Sequence, residues 1–182
     1  MLFEEISIQD KMGRTVVFRN ARPEDSADLI KYLKTTSAET PYLIREPDEI
    51  TITEEKEKQF IQSKIDDERE LMLVALIDGK HIGNCSLMSI APYKRYNLRC
   101  DVALSLYKEY CGCGIGKAML QTILDVAKSV GYEQAELEVM EENKDAIAMY
   151  EKLGFKKYGT LPNNMKYTDE SYMDAYWMMK KL

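Results

Sequence analysis

The chain has 182 residues, 45% hydrophobic and 31% charged, which fits one soluble globular domain with a sizeable core. Its net charge of −6 argues against a nucleic-acid partner and suits a cationic substrate, and no apolar run approaches the roughly 20 residues of a membrane span. The N-terminal MLFEEISIQDKMG lacks the regions of a signal peptide, and the cysteines at 85, 100, 111 and 113 form no C-x-x-C pair beside a single His, so a cytoplasmic protein with reduced thiols and no metal is expected.

In chain order, Ile6 and Ile8 alternate with polar neighbours, Asp10 to Gly13 reads as a turn, and Arg14 to Arg19 as the returning strand. Pro23, Glu24 and Asp25 mark a helix start, with Leu29, Ile30 and Leu33 as its apolar face. Ser37 to Ile50, with two prolines, reads as a loop, and a second helix capped by Thr53 runs to about Asp67. Leu71 to Ile77 and His81 to Met88 flank an Asp-Gly-Lys turn, which places His81 on the surface of a hairpin. A strand at Arg99 to Tyr107 precedes a helix from about Gly114 to Gly131, whose face is Ile115, Met119, Thr122, Ile123, Val126 and Val130. A strand at Gln134 to Met140, a short helix from Lys144 to Leu153, and strands at Phe155 to Leu161 and Ser171 to Met179 complete the pattern, with no repeats or linkers.

The stretch VALSLYKEYCGCGIGKAM, Val102 to Met119, carries the chemistry. An alternating strand runs into a loop with Gly112, Gly114 and Gly116 that opens a helix, so backbone N–H groups at the positive end of a helix dipole invite an anionic cofactor. A P-loop is excluded, because Cys111 stands at its first glycine and Ala118 at its hydroxyl. A dinucleotide fingerprint fails at Lys117, where its third glycine belongs.

The remaining order, x-x-G-x-G at 112–116, resembles the acetyl-CoA pyrophosphate loop of the GCN5-related N-acetyltransferases (GNAT), with Cys111 in place of that pattern's Arg or Gln. LEVMEENKDAIAMYEKLGF, Leu137 to Phe155, is similar to the family's second signature, and FRNARPEDSADLIKYL, Phe18 to Leu33, to its opening strand and helix. The resemblance implies a single N-acetyltransferase domain over residues 1–182 with an α/β GNAT fold. That fold is a mixed, mostly antiparallel sheet of about seven strands flanked by about four helices, splayed between the strands at 99–107 and 134–140.

The resemblance also implies the site. Acetyl-CoA would be gripped at its pyrophosphate by Cys111, Gly112, Cys113, Gly114, Ile115, Gly116 and Lys117, and along its pantetheine arm by the backbone of Leu104, Ser105 and Leu106, with an N–H near Leu106 polarising the thioester. Asn143, if it caps the short helix, shares a face with Ala146, Ile147 and Tyr150, so Asn143 and Ala146 are expected at the cofactor and Tyr150 as the acid for the departing thiolate. Asp101 and Glu138, on the two splaying strands, are the candidate bases, and alternation alone leaves open which strand face lines the acceptor. The expected reaction is direct transfer to a primary amine of a small molecule or a protein N-terminus. A non-catalytic acyl-CoA sensor is the alternative, disfavoured by a proton donor at the sulfur. Tyr172 and Asp174 would border the acceptor or the edge of a homodimer.

Overall fold

A computed structural model describes residues 1–182. Its elements are β1 (Ile6–Gln9), β2 (Thr15–Asn20), α1 (Ser26–Glu39), α2 (Glu54–Asp66), β3 (Leu71–Ile77), β4 (Lys80–Ser89), β5 (Arg99–Leu106), α3 (Ile115–Ser129), β6 (Gln134–Met140), α4 (Lys144–Lys152), β7 (Lys156–Lys166) and β8 (Tyr172–Lys181). One sheet of eight strands takes the order β1-β2-β3-β4-β5-β6-β8-β7, against the expected about seven, because the short β1 joins the edge as well.

Every neighbouring pair is antiparallel except β5 and β6, which run parallel because α3 carries the chain across between them. Their shared ladder contains only Arg99↔Gln134, Cys100↔Ala135 and Asp101↔Glu136. Beyond Asp101, β5 stays with β4 as far as Leu106, while β6 stays with β8 as far as Met140. The sheet therefore opens into a V where the sequence placed the splay.

The two faces are covered by different helices. Leu71, Leu73, Ala75 and Ile77 of β3 join Ile115, Met119, Leu120, Ile123 and Leu124 of α3 in the main core, and Met72 and Val74 join Leu29 and Tyr32 of α1 and Ile61 of α2 on the other side. Burial on both faces explains why β3 reads as a continuous apolar run instead of alternating. Burying each Leu or Ile of α3 contributes about 1.5–3 kcal/mol, so packing rather than helix propensity holds it in place. Thr53 caps α2 as expected, its hydroxyl accepting from Lys56 N at 3.4 Å.

Two boundaries and the environment of one residue differ from the expectation. α1 continues through Glu39, taking in the first turn of the predicted loop. β7 continues past Leu161 to Lys166, with an irregular register between Leu161 and Met165 where Pro162 has no N–H to donate and Asn163 takes φ +53°. His81 is not a surface residue. Its ring meets Tyr32 edge-on with centroids 4.7 Å apart, and both ring nitrogens are sealed from solvent without a hydrogen-bond partner. Burial holds its pKa below the ordinary histidine value.

Candidate active site

The glycine loop sits at the mouth of the V, between the end of β5 and the start of α3. Cys111 N donates to Lys108 O at 3.1 Å and the first bond of the helix runs from Ala118 N to Gly114 O at 3.1 Å, so the backbone N–H groups of residues 112 to 117 donate to no protein acceptor. Gly112 and Gly114 take φ of +75° and +88°, conformations a β-carbon resists. Gly116 faces the split strand, and a Cβ there would lie 3.2 Å from Leu104 Cδ2 and 3.4 Å from Leu106 Cδ1. The buried Ile115 side chain anchors the loop in the core, while Lys117 and Cys111 are exposed and Cys113 is half-buried. Unpaired donors at a helix N-terminus, beside a cradle a β-carbon would fill, fit a diphosphate.

Past Asp101, the side of β5 turned away from β4 has no strand partner, so the backbone of Leu104 to Leu106 offers a free edge to an extended ligand. Leu104 and Leu106 pack toward the α3 side. Asp101, Ala103 and Ser105 lie on the opposite face by alternation, as do Glu136 and Glu138 of β6, since Ala135, Leu137 and Val139 belong to the α3-side core. Which face carries the acids, undecidable from the sequence, is thus the face away from α3.

Asp101 and Glu138 line one cavity of about 450 Å³ with Glu136, Tyr158 and Trp177, yet their environments diverge. Glu138 is exposed, and it accepts from Asn164 Nδ2 at 2.7 Å and Trp177 Nε1 at 3.2 Å. Glu136 is buried and takes two bonds from Arg99, Nε to Oε1 at 2.5 Å and Nη2 to Oε2 at 2.7 Å, which hold its carboxyl below the usual range. Asp101 has no such partner. Burial, then the charges of Glu136 and Glu138, push its carboxyl up to about 6.

Tyr150 approaches from α4. Its ring packs 5.9 Å from Phe155 in the main core, but its hydroxyl makes no hydrogen bond to protein and is not among the sealed polar atoms. Burial, followed by the fields of Cys85 and Asp101, raises its phenol far above the ordinary value, so it stays protonated across the working pH range. Asn143 caps α4 as expected, its Oδ1 accepting from Ala146 N at 3.4 Å while its amide nitrogen has no protein partner. Ala146, half-buried, packs against the same core as Tyr150.

Above the acids, the segment after α1 meets the β7–β8 hairpin around an open cavity of about 720 Å³. Tyr167 Oη donates to Pro41 O at 2.8 Å, and Tyr42 Oη to Glu142 O at 3.4 Å, so the predicted loop is tied at two points to the β6-β8-β7 arm of the V.

A family model described as "Acetyltransferase (GNAT) family" matches residues 33–155, a span that includes both the loop and Tyr150. The chain belongs to that family. The solved acetyltransferase of the GNAT family from Streptococcus pneumoniae superposes with a TM-score of 0.87 at 25% identity, covering 92% of this chain and 99% of that one. The yncA structure from Salmonella typhimurium with acetyl-CoA superposes with a TM-score of 0.81 at 16% identity over 92% of this chain and 94% of its own, a likeness of fold. An N-alpha-acetyltransferase of Sulfurisphaera tokodaii is 28% identical over 91% of this chain and 95% of its own. N-alpha-acetyltransferase 30 of Schizosaccharomyces pombe is 36% identical over 50% of this chain, which covers 61% of that protein. Membership makes acyl transfer the reaction class of this GNAT domain and acetyl-CoA its co-substrate.

Three residues at the site escaped the sequence reading. Glu136 shares a face with Glu138 by plain alternation, a signal that was there to use. Tyr158 and Trp177 are brought to the acids by pairing of β8 with both β6 and β7, which no local pattern announces.

Proposed function

We propose that the protein transfers the acetyl group of acetyl-CoA directly to a primary amine, on a small molecule or a protein N-terminus, within a ternary complex. The observation that carries this is an unpartnered Asp101 at the parting of β5 and β6, with the open hydroxyl of Tyr150 within reach of its charge, in the same fold as a loop of unpaired N–H groups. In this reading the N–H groups from Gly112 to Lys117 hold the pyrophosphate, the free edge of β5 holds the pantetheine arm, and an N–H near Leu106 polarises the carbonyl.

Asp101, directly or through one water, takes the proton that the attacking amine sheds as the C–N bond forms. Its partial burial suits this task, because a carboxylate titrating at about 6 is ionised at neutral pH yet a stronger base than a solvated one. Glu138, already committed to two donors, is better suited to attracting a cationic amine than to proton transfer. Tyr150 donates to the sulfur as the C–S bond breaks. Since its phenol is a weak acid, its hydrogen bond stabilises the thiolate and solvent completes the protonation. Relatives that align almost end to end, the N-alpha-acetyltransferases of Sulfurisphaera tokodaii and Saccharolobus solfataricus, support a protein N-terminus as acceptor.

The test is acetyl-CoA turnover across peptides with free N-termini, polyamines and amino acids, reading free thiol and acetylated product together. Amine-dependent release of equal amounts of both is expected. Tight acetyl-CoA binding without transfer to any amine would point to the sensor instead.

A further inference from the structure

The turn between β1 and β2 touches the glycine loop, although about a hundred residues separate them. Lys11 N donates to Cys113 O at 3.0 Å, Lys11 Nζ lies 3.5 Å from Gly112 O, and a Cβ on Gly114 would sit 3.4 to 3.8 Å from the Lys11 side-chain carbons. The turn is built to hold that position. Asp10 Oδ1 accepts from Met12 N and Arg14 N, both at 2.9 Å, Asp10 Oδ2 accepts from Arg14 Nε at 2.8 Å, and the Arg14 guanidinium stacks 5.2 Å from the centre of the Tyr110 ring. A packed turn therefore delivers an ammonium to a loop whose first position, Cys111, brings an uncharged thiol.

We infer that Lys11 is a cofactor-binding residue, supplying to the diphosphate of acetyl-CoA a positive charge from outside the glycine loop. This rests on the reading of residues 111–117 as the pyrophosphate site. An ammonium has three donors, and its one long contact to Gly112 O leaves the others for phosphate oxygens. The contact to a carbonyl also steadies the loop, whose N–H groups from Gly112 onward are left to the ligand. Lys108 and Lys117 flank the same loop but are carried by its own chain, whereas Lys11 arrives from the sheet edge and couples that edge to cofactor affinity.

The experiment compares wild type, Lys11→Met and Lys11→Arg, measuring Kd for acetyl-CoA by calorimetry over a salt series and KM for acetyl-CoA against acetyl-pantetheine, which has no phosphates. Lys11→Met keeps the side-chain stem and the backbone bond to Cys113 but loses the charge. It should weaken acetyl-CoA binding about three- to tenfold at low salt, the range of one screened ion contact, flatten the salt dependence, and shrink the preference for acetyl-CoA over acetyl-pantetheine. Lys11→Arg should restore most of the loss. An unchanged Kd and salt slope in Lys11→Met would overturn the inference, as would an equal loss with acetyl-pantetheine, which is the mark of a general structural effect. Gly116→Val serves as the reference. If it weakens acetyl-CoA binding while Lys11→Met does not, the loop assignment stands and Lys11 falls. If neither affects binding, the diphosphate lies elsewhere and both fall.

Discussion

Asp101 and Glu136 face each other in the last pair of the β5–β6 ladder, and the two strands part immediately beyond them. One ladder position thus does two jobs. Glu136 is paired with Arg99 and closes the sheet, while Asp101 has no donor and looks into the opening, where its own burial and then the charges of Glu136 and Glu138 raise its pKa to about 6. Two carboxylates on one pair are driven to opposite protonation behaviour, Glu136 by its arginine and Asp101 chiefly by burial.

That divergence predicts a pH profile. As a base Asp101 must be ionised, so turnover should rise with pH through about 6, and Asp101→Asn should lower turnover and flatten that limb. Stability should move the other way. A carboxyl whose folded pKa of about 6 exceeds the ordinary aspartate value of 3.8 binds more protons folded than unfolded between those limits, so wild-type stability falls as pH rises through that window. Asp101→Asn should therefore be more stable than wild type above the window, by about 1–2 kcal/mol, in urea titrations at several pH values.

Removing the arginine tests the other half of the pair. Arg99→Met would leave Glu136, only 6% exposed, with just Gln134 and Tyr158 as partners. A loss of about 2 kcal/mol is expected at neutral pH, by urea or thermal denaturation. Because Arg99 depresses the Glu136 pKa, its stabilising effect is present above the ordinary glutamate value of 4.5 and lost as pH falls through the folded value, so the deficit should narrow in acid.

Gly116 tests the cradle. With Leu104 Cδ2 only 3.2 Å from where its Cβ would stand, Gly116→Val must push into the split strand. Acetyl-CoA affinity should drop by tenfold or more, an estimate of about 1.4 kcal/mol or greater for a blocked close approach, and stability by about 1–3 kcal/mol from overpacking. Calorimetry on the folded variant checks the first and denaturation the second.

Much of this was legible in the chain, for physical reasons. The amphipathic face of α3, the cap at Thr53 and the glycines with positive φ at 112 and 114 are local signals, set by residues within one or two turns of each other. The parting of β5 and β6 followed from the two-signature resemblance, and the ladder ends at Asp101 as that implies. What stayed hidden was long-range. His81 sits in a strand pattern that looks solvated until Tyr32 of α1 closes over it, and Lys11 looks like an ordinary turn residue until β1 and β2 are laid at the edge beside the loop. Asp101 and Glu138 look equivalent on their strands, and the burial of Asp101 together with the donors from Asn164 and Trp177 to Glu138 tells them apart.

The decisive measurement is the single-turnover rate of Tyr150→Phe with a good acceptor, beside its Kd for acetyl-CoA. The ring and its packing on Phe155 are kept and only the hydroxyl is lost. If Tyr150 serves the leaving thiolate, the rate should fall by about 10²-fold, the lower end for a general acid because solvent partly substitutes, while Kd stays near wild type. A chemical step as fast as wild type, with only a small change in stability, would make Tyr150 a packing residue and remove it from the mechanism.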